Sequence, residues 1–101
     1  MVIRRWSIAV LFVLTAGCAG SPPFETYSIA QVALDAARRA DASQYSPGNW
    51  AKADEAFNRG EIAYRDRDFG SATEYFQRAT IFAEKAENIS RIKKFQSGGV
   101  Q

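Results

Sequence analysis

Apolar residues recur at helical spacing in three blocks of this chain, and turn signals separate the blocks. In the first block, from about Phe24 to Gln44, Tyr27, Ala30, Leu34 and Ala37 follow one another at intervals of three, four and three, so they share one helix face. Gln31, Asp35 and Arg38 fall on the opposite face, and Asp35 with Arg39 can pair one turn apart. The segment Tyr45-Ser46-Pro47-Gly48-Asn49-Trp50 interrupts the pattern. Ser46 suits an N-cap, Pro47 the first helical position, and Tyr45 with Trp50 the two halves of a hydrophobic staple. A second helix is therefore predicted over Pro47 to Arg65, with a stripe of Trp50, Ala53, Phe57, Gly60 and Tyr64. Its solvated side carries the acid-before-base pairs Glu55–Arg59 and Glu61–Arg65. Gly60 inside a helix costs ~1 kcal/mol relative to alanine, which predicts a neighbouring helix in close approach there.

Asp66-Arg67-Asp68 makes the next turn, with Asp68 placed to cap the third helix. That helix has the most regular stripe, Phe69, Ala72, Phe76, Ala79, Ala83 and Ala86, with Tyr75, Phe82 and Ile89 as a second row at heptad spacing. It is predicted to reach about Phe95, or ~40 Å, and so to project beyond the other two. Residues 96–101 lack periodicity and read as a disordered tail. The expected fold is all-α: an antiparallel three-helix bundle over residues 24–95, with helices two and three forming a hairpin.

The first residues follow a different pattern. Arg4 and Arg5 precede an uncharged apolar run from Ile8 to Leu14, then small residues and the single cysteine, Cys18. That is the layout of a secretory leader, and the run is short of the ~20 residues a spanning helix needs. Thr15-Ala16-Gly17-Cys18 resembles the lipobox of bacterial lipoproteins, with Thr15 where leucine is usual. The resemblance implies a signal peptide over residues 1–17, diacylglyceryl transfer to the Cys18 thiol, cleavage before it, and acylation of the new amine. No other cofactor is expected. Ala19, rather than aspartate, after the cysteine implies sorting to the outer membrane. The alternatives are an ordinary leader cut elsewhere, with Cys18 incidental, and an uncleaved single-pass anchor. Cys18 and the tether to Pro23 complete the segment over residues 18–23, whose reach of ~18 Å keeps the domain at the membrane surface.

Loss of residues 1–17 takes Arg4 and Arg5 away and leaves eleven basic against eleven acidic residues. Interspersed charge of this kind argues against a nucleic-acid partner, which selects a basic patch. A mature chain of 84 residues makes one small domain. Cores of that size rarely supply more than ~3–5 kcal/mol.

Asp68-Phe69-Gly70-Ser71-Ala72, then Phe76 and Ala79, resemble the second half of a tetratricopeptide repeat, and Gly60 matches the small-residue position of its first helix. Ala56, Arg59 and Glu84 depart from that pattern, so the resemblance implies one repeat-like hairpin and no peptide groove. The whole layout is similar to a family of uncharacterised, alanine-rich, three-helix bacterial lipoproteins. These share the acylated cysteine, an aromatic–Ser–Pro turn (here Tyr45-Ser46-Pro47) and an Asp-Phe turn (here Asp68-Phe69).

Histidine is absent and Cys18 is taken by lipid, which removes the commonest general base, metal ligands and a thiol nucleophile. Asp54–Glu55, Asp66–Asp68 and Glu84–Glu87 read as solvated charges beside basic neighbours. No catalytic or metal site is expected, and the protein is read as a non-enzyme. Trp50, Phe57, Tyr64, Phe69, Tyr75, Phe76 and Phe82 read as core, with Tyr75 and Phe82 the pair best placed to line a groove for a partner helix instead. Arg91-Ile92-Lys93-Lys94-Phe95 is basic with apolar interleaving, and Arg91 and Lys94 are candidates for contact with lipid or wall polymer. The leading expectation is an envelope scaffold anchored by lipid and binding another envelope protein. The alternative is a peptidoglycan- or glycan-associating module.

Overall fold

The computed structural model describes residues 21–98. The expected leader, Cys18 and the last residues of the tail lie outside that range. Among the described residues the protein is all-helical, with four helices and no strand: α1 (Phe24–Arg39), α2 (Ala42–Tyr45), α3 (Pro47–Arg65) and α4 (Phe69–Ser97).

The first predicted helix is two. Ser21 does not cap α1; the helix opens on prolyl carbonyls, with Phe24 N donating to Pro22 O (2.9 Å) and Tyr27 N to Pro23 O (3.0 Å). Its last turn tightens as Ala40 N reaches both Ala36 O and Ala37 O, and Asp41 then adopts a left-handed conformation with φ of 59°. Aspartate tolerates that region better than most side chains, but it ends a right-handed helix. The Asp41 carbonyl then accepts from Gln44 N and Tyr45 N to start α2. Ala40 and Ala42, on either side of the break, are both buried and hold the turn against the rest of the fold.

Pro47 opens α3 as predicted. The Ser46 hydroxyl, however, caps no backbone N–H; it is buried and accepts from Asn49 Nδ2 at 3.2 Å. At the other end Arg67 is left-handed (φ 60°), Asp68 N donates to Ala63 O and Arg67 N to Tyr64 O, a Schellman closure with arginine where glycine is usual. The Asp68 carboxylate accepts from Ser71 N at 3.3 Å, so it caps α4 as expected. The 29 residues of α4 span ~43 Å and run through Gln96 and Ser97, two residues into the predicted tail.

α4 is the common element. α1 and α3 both lie against it, and α2 rests on α3 and α4. Its buried row is Ala72, Phe76, Ala79, Ala83, Ala86 and Ser90, alternating by four and three. Alanine side chains let helix backbones come close, so most of the core is methyl groups: Ala30 and Ala37 from α1, Ala53, Ala56 and Ala63 from α3. Ala56 and Ala63 are core positions absent from the predicted α3 stripe. Of the seven aromatics expected in the core, Phe76 alone is fully buried; the others are half-buried at its edge.

α1 and α3 meet chiefly through rings. Tyr27 stacks on Phe57 at 5.6 Å between centroids and meets Phe76 edge-on at 5.3 Å, while Phe57 lies 5.5 Å from Phe76. Tyr64 links Phe24 (6.3 Å) and Phe69 (5.6 Å). The close approach predicted at Gly60 is made by Phe76: a Cβ on Gly60 would lie 2.6 Å from Phe76 Cε1. No helix among the described residues is long and apolar enough to cross a membrane.

Candidate functional site

The outer groove between α3 and α4 holds two of the side chains singled out from the sequence, Tyr75 and Phe82. Tyr75 and Phe82 stand two turns apart on α4 and are half-buried, with Ala56 of α3 on the groove floor. Neither ring face is left bare. Lys52 Nζ lies 5.3 Å from the Phe82 centroid and Lys85 Nζ 5.6 Å from it, while Arg78 Cζ lies 5.6 Å from the Tyr75 centroid. Arg59 completes the set: the Tyr75 phenol, ahead of the Glu55 carboxylate, holds its pKa above the ordinary arginine value. Arg59 Nη2 also pairs with Glu55 Oε1 at 2.8 Å, as the sequence predicts.

Four exposed cations therefore converge on two rings with one carboxylate among them. The chain as a whole is nearly charge-balanced, so the groove is a local concentration of positive charge. The charged heads of Lys52, Lys85 and Arg78 themselves sit over the ring faces, held by cation–π attraction. An arrangement of this kind attracts anions at a fixed spacing.

Arg91 and Lys94 are placed elsewhere. Arg91 Nε faces Glu87 Oε1 at 3.5 Å along the same helix, and Lys94 Nζ pairs with Asp41 Oδ2 across the fold. Lys93 donates to the Tyr45 carbonyl at 2.8 Å. The end of α4 expected to project is thus fastened, up to Lys94, to the α1–α2 corner. Arg91 and Lys94 form no convergent groove with Tyr75 and Phe82. The predicted Asp35–Arg39 pair is replaced by Asp35–Arg38 at 2.8 Å, with the same guanidinium 5.5 Å from the Trp50 ring centroid. Glu61–Arg65 forms at 3.8 Å. Asp54, Glu55, Asp66, Asp68 and Glu84 are exposed and Glu87 half-buried. Among the described residues no three acids, histidines or cysteines group as metal ligands.

The opposite flank of α4 carries a feature the sequence pattern did not single out. Ile29, Val32, Ala33 and Ala36 of α1 border a shallow groove of about 470 Å³, closed on the α4 side by Glu84 and Glu87. Ile29 is 50 % and Val32 64 % exposed. Their spacing of three, one and three marks a second helix face, masked in the sequence by the stronger stripe beside it.

Residues 25–97, nearly all of the helical region, match the model of a family described as a domain of unknown function, DUF4398. The chain belongs to the DUF4398 family. The matched DUF4398 region takes in all four helices, from the second residue of α1 to the last of α4, and with them the cationic groove. No curated protein and no solved structure matches the chain.

Proposed function

We propose that this DUF4398 protein is a lipid-anchored, non-enzymatic scaffold of the bacterial cell envelope, held at the periplasmic face of the outer membrane through Cys18 and docking another envelope protein. The observation that carries this reading is the α3–α4 groove, where four cations converge on Tyr75 and Phe82, half-buried side chains with no further helix across them among the described residues. The lipobox-like Thr15-Ala16-Gly17-Cys18 supports the anchor. Cys18 precedes Phe24, the first residue of α1, by six positions, so an acylated Cys18 keeps the domain within ~20 Å of the bilayer. Two or more acyl chains give stable attachment, at ~0.8 kcal/mol per buried CH₂.

We read α1, α3 and α4 as an up-down-up antiparallel bundle and α3–α4 as a repeat-like hairpin. The contacts Tyr64–Phe69 at one end and Lys52–Phe82 further along support the antiparallel reading, and Gly60 against Phe76 supports the hairpin. A glycan-binding role is less well supported. Arg91 and Lys94 are engaged with Glu87 and Asp41, and the Tyr75 and Phe82 faces that a sugar would stack on are occupied by cations.

The test is affinity isolation of the native protein from envelopes in mild detergent, beside a Cys18→Ala variant. The expected result is a specific co-purifying envelope protein that is lost or weakened when Cys18 is replaced. Recovery of nothing beyond lipid and bulk membrane protein would overturn the scaffold reading, and a Cys18→Ala variant still in the membrane fraction would overturn the anchor.

A further inference from the structure

Within the groove the cations are ordered, and the order specifies a ligand. Phe82 is flanked by Lys52 from α3 and Lys85 from α4, and Tyr75 by Arg78 from α4, with Arg59 of α3 lining the groove beside it. Lys52 and Arg59 are seven residues apart, as are Arg78 and Lys85, and Tyr75 and Phe82. Two cationic rungs therefore cross the groove two helical turns apart, or ~10.5 Å at 1.5 Å per residue. Between them lie Ala56, 4 % exposed and too small to block an approaching backbone, and Glu55, whose single carboxylate pairs with Arg59 and leaves the cations in excess.

We propose that this groove binds a helix of a partner protein that carries carboxylates seven residues apart on one face. Such residues lie ~10.5 Å apart along a helix, so each carboxylate meets one rung. A groove between two helices seats a third helix along its length, the mode by which amphipathic helices dock. Charge complementarity selects the acidic partner and speeds its encounter. The proposal rests on the scaffold reading above and gives its partner a chemistry. A flat anionic bilayer has no reason to match two rungs in a recess.

The test titrates the full-length protein in mild detergent with a labelled alanine-rich helical peptide of about twenty residues bearing two glutamates at i and i+7. A second peptide has the same composition with the glutamates at i and i+5, on different faces. The first peptide is expected to bind about tenfold more tightly than the second, a difference of ~1.4 kcal/mol, and to weaken as salt rises. The Lys52→Glu/Lys85→Glu variant is expected to lose that preference. It should recover binding to a peptide in which lysine replaces the glutamate facing the altered rung, which excludes misfolding as the cause. Equal affinity for the two peptides, or no effect of the variant, would overturn the proposal. So would preferential binding to phosphatidylglycerol vesicles that the peptide does not displace. An envelope protein that co-purifies equally with the wild type and with Lys52→Glu/Lys85→Glu would sink this groove assignment while leaving the scaffold reading standing. Absence of any partner from the wild type would sink both.

Discussion

The two ends of the helical domain are held together by different means. Near the start of α1 six rings meet: Phe24, Tyr27, Phe57, Tyr64, Phe69 and Phe76, with Gly60 giving room to the last of them. At the far end the interior is Ala37, Ala42, Ala53, Ala83, Ala86 and Ser90, and polar links from Lys93 and Lys94 fasten α4 to the α1–α2 corner. Aromatic side chains bury far more apolar area than alanine, so the ring end supplies most of the hydrophobic stabilisation. The alanine end contributes close backbone approach and fixes the relative placement of the helices. The cationic groove runs alongside both, with the Tyr75 rung nearer the rings and the Phe82 rung nearer the alanines.

Phe76→Ala should have the largest effect. It empties the centre of the ring cluster, and burial losses of this type cost ~3–5 kcal/mol, close to all that a domain this small commands. Urea denaturation should find the variant unfolded or nearly so; a loss below about 1 kcal/mol would mean that the rings are not the main source of stability.

Gly60→Ala comes next and tests the same end from the opposite side. Helix propensity alone favours alanine by ~1 kcal/mol. The new methyl would press on a ring that is itself fully buried, so a net loss of ~1–3 kcal/mol is expected. Pairing it with Phe76→Leu should recover part of that loss in a double-mutant cycle. Additive losses would show that the two residues do not touch.

At the alanine end the expected effects are smaller, and one has the opposite sign. Ser90 is fully buried and its hydroxyl has no hydrogen-bond partner among the described residues. Ser90→Ala removes a desolvated polar group and improves helix propensity, so the thermal midpoint should rise, by an amount corresponding to ~1 kcal/mol. Lys94→Ala removes the pair with Asp41, which is partly exposed on both sides, and should cost under ~1 kcal/mol, less still in high salt. A larger loss from Lys94→Ala than from Gly60→Ala would invert the comparison and make the polar fastening the main restraint.

Much of this was legible from residue spacing. The α3 boundaries, the start of α4, the Asp68 cap, the Glu55–Arg59 and Glu61–Arg65 pairs and the close approach at Gly60 all follow from local chemistry. Local signals failed where two helical answers were equally good. Residues 40–44 read as continuous helix because alanine favours it, yet Asp41 turns left-handed so that Ala40 and Ala42 can both be buried. Arg38 and Arg39 each stood within a turn of Asp35; Arg38 takes the pair because Trp50, on another helix, also lies beside it.

The groove shows the same division. Tyr75 and Phe82 stood out as a heptad row, but Lys52, Arg59, Arg78 and Lys85 read as ordinary surface charges on two separate helices. By itself the sequence determined that residues 24–95 are helical, where the long helices begin, where their main apolar stripes lie, and that charge is nearly balanced overall. The tertiary structure decided which alanines outrank larger aromatics for the core, and how four scattered cations become two rungs across one groove. The reason is geometric. Periodicity fixes the angle of a side chain around its own helix axis, whereas the distance and register between two helices depend on what each finds opposite it.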